Sequence, residues 1–263
     1  MEYKYINYDR IINKITNKDK LFSGDYIIDP YQNCEFGCKY CDSTFEKIIY
    51  IKNNFLNKVE NEIKDLSKGT IIIGSVVDPY QNIEKNLKMT RNLLKIIKRH
   101  HFKAHILTKS TLILRDIDIL SQIENTIVTI SIISINRQIS NYLENSVPST
   151  FKRLELIKKL SDNNIITGLA IMPTLPYIIE SEIEDIIKLS LKYKTKFLLY
   201  KFLELKGYQK KCFYDHMTIL NNELLEKYKL LYKDNYTPDF EYIKKINFQI
   251  SKNCKKYGLP NNI

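Results

Sequence analysis

The chain has no tryptophan, two alanines, and only seven glycines and seven prolines among 263 residues. So little glycine and proline excludes a collagen-like or low-complexity chain. Long apolar runs are missing too. The longest, Asn125 to Ile135, is interrupted by Thr129, Ser131 and Ser134, well short of the roughly 18 residues of a membrane-spanning helix. Residues 1–25 carry Glu2, Lys4, Asp9, Arg10 and Lys14 without a continuous apolar core, so they do not read as a secretory signal. A cytoplasmic protein with no membrane partner is expected. Arginine is scarce, with six of the 41 basic residues, against 41 isoleucines and 24 asparagines. The net charge of +11 invites a nucleic-acid partner, but this bias is the mark of AT-rich codons, which scatter lysine over solvated faces. Walker loops, G-x-G-x-x-G and G-x-S-x-G are absent, which leaves nucleotide hydrolysis and serine esterase chemistry without support.

What is present is enough to fold, with 44% apolar and 27% charged residues. Apolar, β-rich runs are expected as strands at 25–29, 70–78, 103–109, 126–134, 166–175 and 196–202. Amphipathic stretches at 55–67, 84–100, 114–122, 149–163 and 181–193 predict helices between them. This alternation implies a parallel sheet, open or closed into a full or partial barrel, with active residues at the strand C-termini. After Phe202 the pattern becomes helical, through 221–232 and 239–257, with Thr237-Pro238-Asp239 as turn and N-cap. A core over 1–205 and a helical C-terminal cap over 206–263 are expected. The pentapeptide Asp-Pro-Tyr-Gln-Asn occurs twice, at 29–33 and 78–82, each time after a candidate strand.

Five cysteines in such a chain argue against a disulfide framework, and three of them cluster as Cys34-Glu-Phe-Gly-Cys38-Lys-Tyr-Cys41. Thiolates at C-x3-C-x2-C spacing can wrap one soft metal centre, zinc or iron–sulfur. Gly37 is expected to relieve crowding beside Cys38. A structural zinc site wants four ligands and an iron–sulfur cluster normally four cysteines. The missing fourth thiolate would leave an open coordination position, the mark of a reactive centre.

The motif resembles the radical S-adenosylmethionine superfamily. Asp29-Pro-Tyr, Cys41-Asp-Ser, Asp78-Pro-Tyr-Gln-Asn-Ile-Glu84, Thr108-Lys-Ser110, Leu114-Arg-Asp-Ile-Asp118, Val128-Thr-Ile-Ser131, Pro148-Ser-Thr-Phe-Lys-Arg-Leu154 and Cys254-Lys-Lys-Tyr-Gly258 are similar to its spore photoproduct lyase-like branch. The resemblance implies an α/β fold, a partial (βα)6 TIM-like barrel with the C-terminal helical extension. It implies a [4Fe–4S] cluster on Cys34, Cys38 and Cys41, S-adenosyl-L-methionine as second cofactor, and a flavodoxin or ferredoxin type electron donor. Hydrogen abstraction by a 5′-deoxyadenosyl radical would follow, from nucleic acid, a peptide or a small molecule. The lyase resembled uses a thiol hydrogen donor beyond the second strand, where residues 70–82 here hold no cysteine. A non-enzymatic zinc or iron–sulfur module on nucleic acid is the alternative.

By the same resemblance Tyr40 lies near the adenine, or else is core packing. Ser75, after Gly74, meets the methionine amino group. Lys109 pairs with the methionine carboxylate, unless it is merely solvated. Ser131 meets the methionine or ribose portion, or else bonds back within the core. Asp78, a carboxylate at a strand end, is a candidate to act in catalysis. Arg115, Asp116 and Asp118 are expected to cap and pair on the third helix, and Glu84 to suit the dipole of the second. His100, His101 and His105 are not expected to bind metal. Tyr193 to Tyr214, where Tyr and Lys interleave, is a candidate stacking groove or a strand followed by a solvated connection.

Overall fold

In the computed structural model, residues 1–16 and 21–263 are described. Two short strands, β1 (Glu2–Ile6) and β2 (Asn13–Lys14), precede β3 (Tyr26–Ile27) and β4 (Tyr31–Gln32). The cysteine loop follows, then β5 (Ile48–Lys52) and α1 (Phe55–Glu62). From there strands and helices alternate: β6 (Thr70–Ile73), α2 (Glu84–Leu87), α3 (Met89–Arg99), β7 (Lys103–Thr108), α4 (Ile117–Leu120), β8 (Ile127–Ile132). They continue through α5 (Arg137–Leu143), α6 (Thr150–Ser161), β9 (Ile166–Thr174), α7 (Ile183–Lys192) and β10 (Phe197–Phe202). Three helices close the chain: α8 (Gly207–Leu220), α9 (Asn222–Tyr232) and α10 (Phe240–Tyr257).

Strands β3, β6, β7, β8, β9 and β10 pair in parallel and in chain order, the partial (βα)6 barrel expected. The pleat divides each strand between two buried faces. Ile71, Ile73, Ala104, Ile106, Val128, Ile130, Leu169 and Leu198 pack outward in the core shared with the helices, while Ile72, Ala170, Phe197 and Leu199 form a separate inner cluster with Phe22. Gly168 is required inside because a Cβ there would come within 2.1 Å of the Phe197 ring. His105 belongs to this interior. Its Nδ1 lies 3.0 Å from the Phe22 carbonyl and its Nε2 2.8 Å from the Thr129 hydroxyl. A carbonyl only accepts, so Nδ1 carries the proton. His105 is therefore a packed core histidine, and His100 pairs instead with Glu60 at 2.7 Å.

Several expected boundaries shift for local reasons. The first strand shrinks to two residues, and the expected strand at 70–78 ends at Ile73, where Gly74 takes φ +91°. The expected helix at 84–100 breaks at Lys88 (φ +53°), and the buried Glu84 carboxylate accepts from Thr90 N at 3.0 Å and Arg91 N at 3.3 Å. Glu84 thus caps the following helix with its side chain instead of serving only its own helix dipole. Residues 111–116 form a 3-10 turn before α4. Ser149, Asn221 and Asp239 cap α6, α9 and α10 with side-chain oxygens. The Tyr193 to Tyr214 run is no single groove, because it spans the end of α7, all of β10 and the first half of α8.

Candidate metal centre

The three clustered cysteines are presented by a loop fastened from every side. Cys34 N donates to Ser43 O at 2.8 Å, Cys41 N to Cys38 O at 3.0 Å, and the Thr44 hydroxyl to Cys41 O at 2.8 Å. Lys39 N reaches Leu143 O at 3.0 Å and Glu35 N reaches Gln81 Oε1 at 2.9 Å, so the loop is tied to the ends of two barrel units. Gly37 sits at φ +62° with open space where a Cβ would go. Its task is the left-handed backbone, not the relief of crowding expected from its place beside Cys38. Burial pushes the Cys34 and Cys38 thiols up to about 12, so neither is a nucleophile near neutral pH. A cation is what would draw out their thiolates. Among the described residues, no three His, Cys, Asp or Glu side chains gather round a point fit for a single ion.

Cys34, Cys38 and Cys41 line a cavity of about 370 Å³ at the C-terminal mouth of the barrel. Tyr40, Gly74, Ser75, Asp78, Lys109 and Ser131 line it as well, so residues up to 97 positions apart share one wall. Asp78 accepts from Thr108 Oγ1 and Lys109 N, both at 2.7 Å, and from Tyr80 N at 2.9 Å. Ser131 Oγ donates to Met172 O at 2.8 Å. The buried Tyr40 hydroxyl donates to Glu144. Lys109 Nζ lies 4.0 Å from Glu144 Oε1 and 5.9 Å from the Tyr40 ring centre. Burial acts to lower the Lys109 ammonium, but the Cys38 and Glu144 charges outweigh it and it stays protonated above its ordinary range.

A sequence profile of the Radical SAM superfamily matches residues 28–190, the span that holds the cysteine loop and most of the barrel. The chain belongs to this superfamily. An uncharacterized protein of Methanocaldococcus jannaschii is 33% identical over 204 residues, which cover 74% of this chain and 76% of that one. Among solved structures, a mutant of spore photoproduct lyase superposes with a TM-score of 0.76 at 13% identity, covering 97% of this chain and 78% of that one. SuiB of Streptococcus suis, bound to its precursor peptide SuiA, gives 0.63 at 14% identity over 90% of this chain and 47% of that one. These superpositions show a shared fold.

Radical SAM enzymes use a [4Fe–4S] cluster and S-adenosylmethionine, and the cavity fits such a pair. Its thiols number three, with no fourth among its lining residues. The Ser75 hydroxyl is buried without a hydrogen-bond partner, a cost of about 1–3 kcal/mol unless something binds there. Gly74 leaves room that no other residue could, since a Cβ would come within 2.2 Å of Leu107 O.

The repeated pentapeptide turns out to build the same joint twice. Asp29 accepts from Gly74 N at 2.9 Å, and Asp78 from Lys109 N at 2.7 Å: each aspartate grips the main chain at the end of the next strand. The two tyrosines donate to buried carboxylates, Tyr31 to Glu84 and Tyr80 to Asp116. Arg115 bridges both, at 2.7 Å to Glu84 and 2.8 Å to Asp116. The pairing expected for Arg115, Asp116 and Asp118 therefore exists, through Arg91 as well, but it locks two strand-end loops together instead of decorating one helix.

Burial raises the Asp29 carboxyl to about 6 from an ordinary 3.8. The folded chain thus holds this proton more tightly than the unfolded one. The group's contribution to stability is full below about pH 4 and is lost as pH rises through about 6. Asp29→Asn keeps an oxygen for Gly74 N and removes the charge. It should melt at a higher temperature than the parent above pH 6, by on the order of 1–3 kcal/mol, with the gap closing toward pH 4. Melts at pH 4 and 7.5 check this; a variant weaker at both would show that the nearby Lys52 charge dominates.

Glu144 and Arg153, absent from the expected site, prove central to it. Arg153 left a signal in its position at the buried face of α6, in register with Leu154, Ile157 and Leu160. An arginine on such a face needs a buried partner.

Proposed function

We propose that this radical SAM enzyme holds its [4Fe–4S] cluster on Cys34, Cys38 and Cys41 and its S-adenosylmethionine against Ser75, Lys109, Ser131 and Tyr40, for hydrogen abstraction from a substrate at the barrel mouth. The observation that carries this reading is the convergence of three thiols, an unpartnered buried hydroxyl and a half-buried ammonium on one cavity. When bound, the pair supplies a 5′-deoxyadenosyl radical. The chain's own task is to exclude water and hold the reacting groups. Lys109 offers a charge to a carboxylate. Asp78, the candidate to act in catalysis, has both oxygens engaged and positions the Lys109 main chain. Residues 206–263 act as a cap on the 1–205 core, through Gln209 to Tyr40 O at 2.6 Å and Tyr232 to Leu203 O at 2.8 Å. An external flavodoxin or ferredoxin type donor supplies the electron.

A lyase that ends its reaction with a cavity thiol finds no support here, since Cys212 and Cys254 are not among the residues lining the cavity. Nor is the +11 charge concentrated at the mouth, where Lys109, Lys201 and Lys206 are matched by Asp42, Asp78 and Glu204, with Glu204 2.9 Å from Lys201 and 2.6 Å from Lys206. A peptide or small molecule is favoured over nucleic acid on this ground.

Anaerobic reconstitution tests the reading. The parent should turn brown, hold iron and sulfide, and form 5′-deoxyadenosine with a reductant. Lys109→Ala should keep its iron yet bind S-adenosylmethionine about tenfold to a hundredfold more weakly, the ~1.5–3 kcal/mol of one charged contact. A colourless protein with stoichiometric zinc would instead establish the non-enzymatic module.

A further inference from the structure

Glu144 and Arg153 are 2% and 1% exposed, and both are engaged away from solvent. Arg153 Nη2 pairs with Glu144 Oε2, and Arg153 Nη1 donates to Ser131 O at 2.6 Å. The other carboxylate oxygen accepts from Tyr40 and faces Lys109 Nζ at 4.0 Å. The residue before Glu144 accepts from Lys39 N in the cysteine loop. One carboxylate therefore touches the cysteine loop directly, the end of β7 through Lys109, and the end of β8 through Arg153. These are three of the four places from which the cofactor site is assembled, the end of β6 with Ser75 being the other.

Stability does not account for this arrangement. A buried ion pair at best breaks even against well-packed apolar residues of the same volume, and α5 and α6 already bury Leu143, Leu154 and Ile157. Charge does account for it. Two cations, Lys109 and Arg153, face the Glu144 carboxylate, and the Asp78 carboxylate also acts on Lys109, so removing the Glu144 charge leaves the pocket behind Cys38 more positive. A cluster held by three thiolates gains a negative charge when it accepts one electron from its external donor, and an excess positive charge favours that reduced state.

We infer that Glu144, clamped by Arg153, is a positioning residue of the cofactor site that sets Tyr40 and Lys109 beside the cysteine loop and limits the positive charge felt by the cluster. The inference rests on the cluster assignment made above. It is tested on the reconstituted full chain by poising the protein at a series of ambient potentials and measuring the reduced cluster by electron paramagnetic resonance, with no substrate present.

Glu144→Gln keeps a side chain of the same length and removes the negative charge. At a fixed potential its ratio of reduced to oxidised cluster should rise by about 3- to 30-fold, the range that one charge exerts at an effective dielectric near 20. Lys109→Gln should move the same ratio down. Glu144→Asp, which restores the charge, should return most of the way to the parent. Ratios for Glu144→Gln within twofold of the parent, or a shift in the same direction as Lys109→Gln, would reduce Glu144 to a structural residue and overturn the inference. Should Glu144→Gln fail to fold, Arg153→Gln takes its place: removing one of the cations that face Glu144 should lower the ratio by a similar factor, and a ratio within twofold of the parent overturns the inference. A parent that takes up no iron fails the cluster assignment itself, a result visible before any potential is set.

Discussion

Reconstituted Cys38→Ala protein is expected to stay folded and to hold little or no iron. The substitution removes one sulfur from a side chain that is 5% exposed, so the packing loss is on the order of 1 kcal/mol. The loop keeps its main-chain ties, Cys34 to Ser43, Cys41 to Cys38 and Lys39 to Leu143, none of which uses the thiol. The loss falls instead on the metal. Four thiolates normally hold such a cluster; with three to begin with, a centre reduced to two has no closed set to fall back on. Cys254→Ala should cost similar packing and no iron, because Cys254 is buried on α10 and absent from the cavity wall. Iron and sulfide counts with visible absorption, taken beside a thermal melt, check both. Full iron in Cys38→Ala would defeat the assignment. Loss of iron in Cys254→Ala would point to a fourth ligand and a closed, structural or electron-transfer centre.

The largest loss of stability from a single side chain is expected at Arg115. Its guanidinium reaches Glu84 Oε1 at 2.7 Å, the Glu84 carbonyl at 2.9 Å and both Asp116 oxygens at 2.8 and 2.9 Å. Glu84 and Asp116 are each 0% exposed. Arg115→Met retains the stem and leaves the buried Glu84 carboxylate without its cation, while Asp116 keeps only Arg91, which it shares with Asp118. Breaking a buried pair in this way costs about 3–5 kcal/mol. By comparison, Lys188→Met breaks an exposed i,i+4 pair with Glu184, and should change stability by no more than about 0.5 kcal/mol. Urea midpoints for the two variants separate the cases, and equal shifts would mean that the twin loops do not depend on Arg115. A large shift carries a consequence for the site, since the same network holds Asp29 and Asp78 on the main chain around Gly74 and Lys109.

Much of this was open to reading from local pattern. The C-x3-C-x2-C loop, the six parallel strands from β3 to β10 and the caps at Ser149 and Asp239 are set by residues within a few positions of one another. Short apolar runs alternating with amphipathic helices imply parallel strands covered by helices, and polar residues at the C-terminal ends of such strands are placed at the functional face. β1 escaped because Glu2–Ile6 is exposed along most of its length, so no buried face marks it. The break at Lys88 escaped because the Glu84 carboxylate that stabilises the new helix start is found only in three dimensions.

The sequence by itself determined the parallel βα alternation and the three clustered thiols, because each follows from short-range periodicity and spacing, while the closure into a partial barrel was implied by the family resemblance. Only the tertiary structure decided that Tyr40 meets Glu144, 104 residues away, that Arg115 joins the two pentapeptide loops, and that Lys109 is half-buried beside a carboxylate. Those partners come together only when successive βα units close round one axis, and a buried charge is tolerated only where that closure delivers its counter-charge.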